Sequence, residues 1–324
     1  MPQQVADMAE KPDFIAGVWA AIPTPFQADG RLDETGLRAN CAYFANALQL
    51  RGVFCNGVMG EVGALTRRER MLALEANLLA AGTMHVGVVI NDQSLAETLE
   101  LARHAGSAGA HHVVLMRPPG QLSDTELQDY CSAAIEAAGV PGVLFDRALP
   151  GAGWPRAVIA ALASQGLIRA VKCTRDWDSN VELRQVFAGA LVVTDPFEFR
   201  LLANLARFDL KVLYADPEPY LFQSTTALPI RDCMAAAARN DWAEAVRLFR
   251  ALEPLRAAYD RWVLRPLRHG GPMNAALKHW CSRIGLAAGP VRAPLRPLTD
   301  EDRRQFDTEL DQAMRSVEHL VRWR

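Results

Sequence analysis

A closed (β/α)8 barrel followed by a helical C-terminal appendage is the fold class this sequence predicts. Three observations predict it. Short apolar runs bounded by turn residues recur at a spacing of roughly 25 to 35 residues. Helix-start signals stand between them, and beyond residue 226 the pattern changes to helices alone. The strand-like runs cover residues 17–22, 52–56, 85–90, 112–116, 142–145, 168–173, 190–194 and 211–214. Between them, Thr66-x-x-Glu69, Ser94-x-x-Glu97, Ser123-x-x-Glu126 and Ser179-x-x-Glu182 have capping-box spacing, in which hydroxyl and carboxylate each satisfy a free amide at the helix start. Asp195-Pro196 opens another helix, proline being tolerated in the first turn. In the helix from Asp33, the apolar set Leu37, Cys41, Phe44, Ala45 and Leu48 keeps the helical period. Eight such units suit a barrel whose site lies at the carboxyl ends of its strands. A doubly wound open sheet would alternate in the same way, but the dinucleotide fingerprint G-x-G-x-x-G is absent. Helices are expected over 232–239, 242–265, 271–284 and 300–317, the last capped by Thr299-x-x-Asp302 after a linker holding Pro290, Pro294 and Pro297. The expected division is a tail over 1–14, the barrel over 15–228 and a helical region over 229–324.

Composition removes whole classes of function. A chain of 324 residues with 50% hydrophobic content can bury a large core, and a formal net charge of −2 without a basic block argues against nucleic-acid binding. No apolar stretch is long enough to cross a bilayer, and residues 1–13 lack the apolar region of a signal peptide, so a cytoplasmic protein is expected. Six cysteines are widely spaced without a C-x-x-C pair and are expected as reduced core residues. His111-His112 is the one histidine pair; neighbours on a strand point to opposite faces, which makes a poor chelate, and no metal site is expected.

Lys172 is the leading candidate for a residue that carries chemistry. It lies late in the apolar run 167–174, bounded by Gly166 and the polar residues 175–178. Burial there disfavours the ammonium form and turns a poor nucleophile into one able to condense with a carbonyl. The plain structural alternative is a lysine that snorkels to solvent or pairs at the strand end. By strand alternation, Cys173 points away from the side that Lys172 faces.

Several segments, in order, resemble the dihydrodipicolinate synthase and N-acetylneuraminate lyase superfamily of Schiff-base (class I) aldolases. They are Gly17-Val18-Trp19-Ala20-Ala21-Ile22-Pro23-Thr24-Pro25-Phe26, Gly57-Val58-Met59-Gly60-Glu61, Val140-Pro141-Gly142-Val143-Leu144-Phe145-Asp146, Val171-Lys172, and the tail from Met273 with Ala276-Leu277-Lys278 and Gly289-Pro290. The resemblance implies a (β/α)8 barrel with helical appendage, a homo-oligomer (dimer or tetramer), no cofactor, and Lys172 as the lysine that condenses with a small-molecule 2-oxo acid such as pyruvate. It also implies that backbone amides of the loop after strand two, near Gly57, Val58 and Met59, hold the substrate carboxylate.

The chain departs from the family's proton relay at every member. The two loop hydroxyls are replaced by Val58 and Met59, the strand-five tyrosine by Phe145 and the next asparagine by Asp146; the Pro-Tyr-Tyr after strand four reads Pro118-Pro119-Gly120. The synthases' arginine after Tyr-Asn has no equivalent in register, though Arg147 is near. Val58, Met59 and Phe145 could fill a collapsed pocket; Asp146 and Asp195 could be caps, with Arg117 and Arg147 pairing to them. Phe145, Asp146 and Arg147 are taken with the loop as substrate-binding candidates, and Tyr214 and Asp216 as the best-placed replacements for the lost acid–base group. Two classes stay open: a lyase on a 2-oxo acid that is not an efficient dihydrodipicolinate synthase, and a catalytically inactive relative that binds an oxo acid or serves as scaffold or regulator.

Overall fold

The computed structural model describes residues 14–118, 120–147, 153–271 and 273–323. Its strands are β1 Gly17–Ala21, β2 Gly52–Cys55, β3 His85–Val89, β4 His112–Met116, β5 Gly142–Asp146, β6 Ile168–Cys173, β7 Val192–Thr194 and β8 Val212–Ala215. All ladders are parallel, in the order β7-β6-β5-β4-β3-β2-β1-β8. Because β1 pairs with both β2 and β8, the sheet curls round on itself, and β7 and β8 meet across the remaining seam without a regular ladder. Returning helices make the parallel arrangement possible, and the result is a (β/α)8 barrel.

The amino-terminal end of the barrel is plugged by aromatic rings. Gly52 makes room for the Trp19 indole, since a Cβ there would lie 2.2 Å from it, and Gly87 does the same for His112. Tyr214 stacks on Phe54 with centroids 4.5 Å apart, and its hydroxyl lies 2.6 Å from His112 Nε2. His112 Nδ1 in turn lies 2.9 Å from His111 Nδ1. The two histidine rings therefore come together, against the alternation expected of them: β4 begins only at His112, so His111 sits in the preceding turn and bends back. Burial holds His112 well below its ordinary pKa and brings His111 down to about 4, so both rings are neutral near pH 7.

Helix starts follow local chemistry. Thr66 and Ser123 form complete capping boxes with Glu69 and Glu126. Ser94 accepts from the Glu97 amide, but the Glu97 carboxylate is taken by Arg67 at 2.9 Å. Ser179 is not a cap: Asp176 accepts the Ser179 amide, and Ser179 lies inside helix Trp177–Val186. A carboxylate at the same spacing one turn earlier outcompetes the hydroxyl. Asp195 accepts the Phe197 amide and opens a 3-10 turn, Glu198–Arg200, before helix Leu201–Phe208.

Helices after the barrel begin at Pro229–Ala238. The single helix expected over 242–265 is divided into Trp242–Ala251, Glu253–Tyr259 and a π-helical turn Asp260–Leu264, continuing as Arg265–His269. Pro254, lacking an amide proton, sits at the start of the second piece. Met273–Arg283 and Asp300–Val317 complete the region, the last capped by Thr299. Among the described residues, no helix is long and apolar enough to cross a membrane.

Candidate active site

Register places the site. Phe145 on β5, Lys172 on β6 and Thr194 on β7 are lateral neighbours, and alternation sends Asp146 and Cys173, the next pair, to the outer face. Lys172 is fully buried. Its Nζ lies 2.5 Å from Asp216 Oδ1, just beyond the end of β8, and over the rings of Phe54 and Phe145 at 4.6 and 4.5 Å. A lysine out of water and held between two aromatic faces is charge-balanced by one carboxylate, which is also the base closest to its protons.

The loop after β2 is built to present amides. Asn56 and Glu61 adopt left-handed φ values of 60° and 55°. Asn56 donates to the Arg70 carbonyl at 2.8 Å, Thr24 to the Gly60 carbonyl at 2.8 Å, and Asn274 of the tail to the Val58 carbonyl at 3.0 Å. Beneath it Glu61 and Lys278, both buried, form an ion pair of 2.6 Å, and Glu61 Oε2 also accepts the Arg292 amide at 3.1 Å. With its carbonyls tied down, the loop leaves the Val58 and Met59 amides without a protein acceptor among the described residues. Gly60 allows the loop its close approach: a Cβ there would lie 3.0 Å from Thr24 Oγ1.

A cavity of about 280 Å³ joins these parts. Lys172, Gly57, Val58, Met59, Phe145 and Arg147 all line it, so the structure brings together six of the seven residues chosen from sequence. Asp146 is the exception. Its carboxylate lies on the outer face, accepting from the Trp154 amide at 2.8 Å and pairing with Arg175 at 2.7 Å, so it holds the barrel wall and does not reach the cavity. Adjacent strand residues cannot both face inward, and Phe145 takes that side.

Arg147 faces the cavity without an ion pair among the described residues, and burial lowers its pKa from the ordinary guanidinium range with the Asp216 charge opposing. Arg117 instead donates to the Gly153 carbonyl, and Asp195 pairs with Arg200. The proposed pairing of Arg117 and Arg147 with the two aspartates is therefore replaced by Arg175 and Arg200. Pro119 lies outside the described residues; Gly120 does not line the cavity. Of the two groups nominated to replace the relay, Asp216 reaches Lys172, whereas the Tyr214 hydroxyl is turned to His112.

Sequence reading missed Phe54, Phe197, Arg200, Leu264, Leu267 and Arg268 in the lining. Phe54 was legible, being inward on β2 by alternation. The others depend on how a 3-10 turn and the π-helical segment fold over the mouth, for which the chain carries no periodic signal.

Fold and site together define a (β/α)8 barrel with a buried lysine at the carboxyl ends of its strands. Residues 14–197 match the model of the dihydrodipicolinate synthetase family, and the chain belongs to that family. It is 28% identical over 296 residues to 4-hydroxy-tetrahydrodipicolinate synthase of Methanothrix thermoacetophila, covering 88% of this chain and 92% of the relative. A shorter stretch of 106 residues is 33% identical to N-acetylneuraminate lyase of Gallus gallus, covering 32% of this chain and 34% of that one. Among solved structures, a catalytic lysine mutant of Ruminococcus gnavus sialic acid aldolase superposes with a TM-score of 0.81, covering 96% of this chain and 100% of that one at 18% identity, a likeness of fold alone.

Proposed function

We propose that this protein is a class I lyase that forms a Schiff base between Lys172 and a pyruvate-like 2-oxo acid, with Asp216 as its acid–base partner, and that it is not an efficient dihydrodipicolinate synthase. The observation that carries this reading is the 2.5 Å contact of Lys172 Nζ with Asp216 on the cavity floor. In the proposed sequence Asp216 takes a proton from Lys172, freeing the amine to attack the ketone carbon. After attack the nitrogen gives up a second proton, so that the former ketone oxygen receives both, one directly from the nitrogen and one returned by Asp216, and departs as water, leaving an iminium. The iminium then accepts the electron pair of a C–C or C–H bond at the neighbouring carbon. The unpartnered Val58 and Met59 amides suit the substrate carboxylate, and the Arg147 guanidinium suits a second polar or anionic part of the substrate. The assembly is taken to be a homo-oligomer.

Incubation with a panel of 2-oxo acids followed by borohydride is expected to give a protein of increased mass. Folded protein without an adduct across the panel would instead support the inactive-relative reading. Phe145, Val58 and Met59 cannot move a proton, and a positioned general acid or base contributes about 10²–10⁴-fold to a step. A coupled assay with pyruvate and aspartate semialdehyde is therefore expected to show no turnover in the usual range of about 1–10³ s⁻¹. Phe145→Tyr alone is not expected to restore it, because the new hydroxyl lacks neighbours to relay through. Ordinary synthase turnover by the natural chain would contradict the reading.

A further inference from the structure

Behind Asp216 lies a second buried acid that the proposed chemistry leaves idle. Glu218, two residues on, is only 2% exposed, and its Oε2 has no hydrogen-bond partner among the described residues. Tyr259, 3% exposed, has a hydroxyl without a hydrogen bond of ordinary geometry, and the Glu218 carboxyl is the side chain that approaches it. A buried polar atom left poorly paired is costly, so two in one place call for a reason. Both residues line a second cavity of about 620 Å³ on the tail side of the barrel mouth. Leu264 and Arg268 line this cavity as well as the first, so the π-helical segment and its continuation form the partition between them. Phe199, also in its wall, is 42% exposed, so the second cavity reaches the surface.

The charges around Glu218 favour the protonated form of its carboxyl. The nearby cation of the tail, Arg256, is engaged by Glu198 through two bonds of 2.6 and 2.9 Å and by Glu253 at 3.1 Å. Lys172 is engaged by Asp216. Of the other cations in the cavity wall, Arg265 is paired with Asp260 and Arg268 lies over the Phe197 ring, so Glu218 has no ion-pair partner among the described residues while it feels the charges of Asp216 and Glu198. Burial, then the Asp216 charge, hold its carboxyl well above the usual range, with Lys172 opposing. Burial raises the Tyr259 hydroxyl in the same way.

Resting on the Lys172–Asp216 reading, we infer that Glu218 and Tyr259 form a proton store connecting the Lys172 site to the second cavity. When Asp216 has given its proton to the departing carbinolamine oxygen, Glu218 passes its carboxyl proton to Asp216 and becomes a carboxylate. It is reprotonated by way of Tyr259 from solvent in the second cavity; proton release runs in the opposite direction. No other co-reactant is needed. The route replaces the missing hydroxyl relay from the opposite side of the lysine, and Glu218 is a positioning residue that acts through Asp216.

The test uses the full chain with pyruvate in D2O, following exchange of the methyl hydrogens by NMR and imine by borohydride trapping in parallel. Relative to the imine trapped, exchange by Glu218→Gln is expected to fall about 10²-fold, and Tyr259→Phe to fall by a smaller factor. The wild-type alkaline limb, where Glu218 loses its proton, is expected to vanish in Glu218→Gln and to return in part in Glu218→Asp. A merely structural role would move neither the limb nor its rescue. Unchanged exchange per imine with an unchanged pH profile in both Glu218→Gln and Tyr259→Phe would overturn the store while leaving the Schiff-base reading intact. Absence of trapped imine in the wild type would overturn both.

Discussion

Asp216→Asn is expected to slow formation of the trapped adduct by about 10²–10⁴-fold, the loss that follows removal of a positioned acid–base group. The substitution keeps the shape of the side chain that sits 2.5 Å from Lys172 Nζ, but the amide cannot take a proton from it. It also leaves the buried lysine without its counter-charge, a condition that destabilises proteins by about 3–5 kcal/mol when the amine stays charged. The two effects are read separately, by the initial rate of adduct formation at fixed 2-oxo acid and by the denaturant midpoint. A rate within threefold of wild type would remove Asp216 from the chemistry and return it to the role of a plain structural partner.

Lys278→Met is expected to cost about 3–5 kcal/mol of stability, because it strands Glu61 as an unpaired buried carboxylate. Burial already lowers the pKa of the Lys278 ammonium, with Glu61 as the group that opposes the shift. The loss matters beyond stability. Glu61 closes the loop that presents the Val58 and Met59 amides, and Asn274 on the same tail helix holds the Val58 carbonyl. Adduct formation is therefore expected to weaken together with the fold. Urea denaturation measures the first effect; a cost under about 1 kcal/mol would show that the tail does not brace the loop.

Much of the barrel was legible because its signals are local. Each of the eight apolar runs falls on a strand within a residue or two, since bounded apolar runs and returning helices leave little choice. Alternation puts Cys173 opposite Lys172, while Lys172 itself stands out through its place late in an apolar run and through the resemblance. Asp146 departs from the expectation because alternation, with Phe145 inward, turns its carboxylate to the outer face. The helix expected over 242–265 is broken because Pro254 starts a new piece, and a π-helical turn has no sequence period. Ser179 lost to Asp176 because two cap residues at the same spacing compete. Asp216 could be nominated from its place after β8. Glu218 and Tyr259 could not be joined, since one ends the barrel and the other begins the tail, and only the packing brings them to one cavity. The tail's Lys278 was noted in sequence without its partner for the same reason.

The chain carries 31 arginines and four lysines, Lys11, Lys172, Lys211 and Lys278. An arginine could balance Asp216 as well, but its guanidinium cannot form an imine, so the choice of lysine at 172 is itself in keeping with covalent chemistry. With so few lysines, peptide mapping of the borohydride-reduced pyruvate adduct is the direct test. Lys278 is buried against Glu61, while Lys211 is exposed and remote from the cavity. The account predicts the reduced carboxyethyl group on the peptide containing Lys172 and its loss in Lys172→Met. An adduct spread over Lys211 or other amines, or persisting in Lys172→Met, would contradict it.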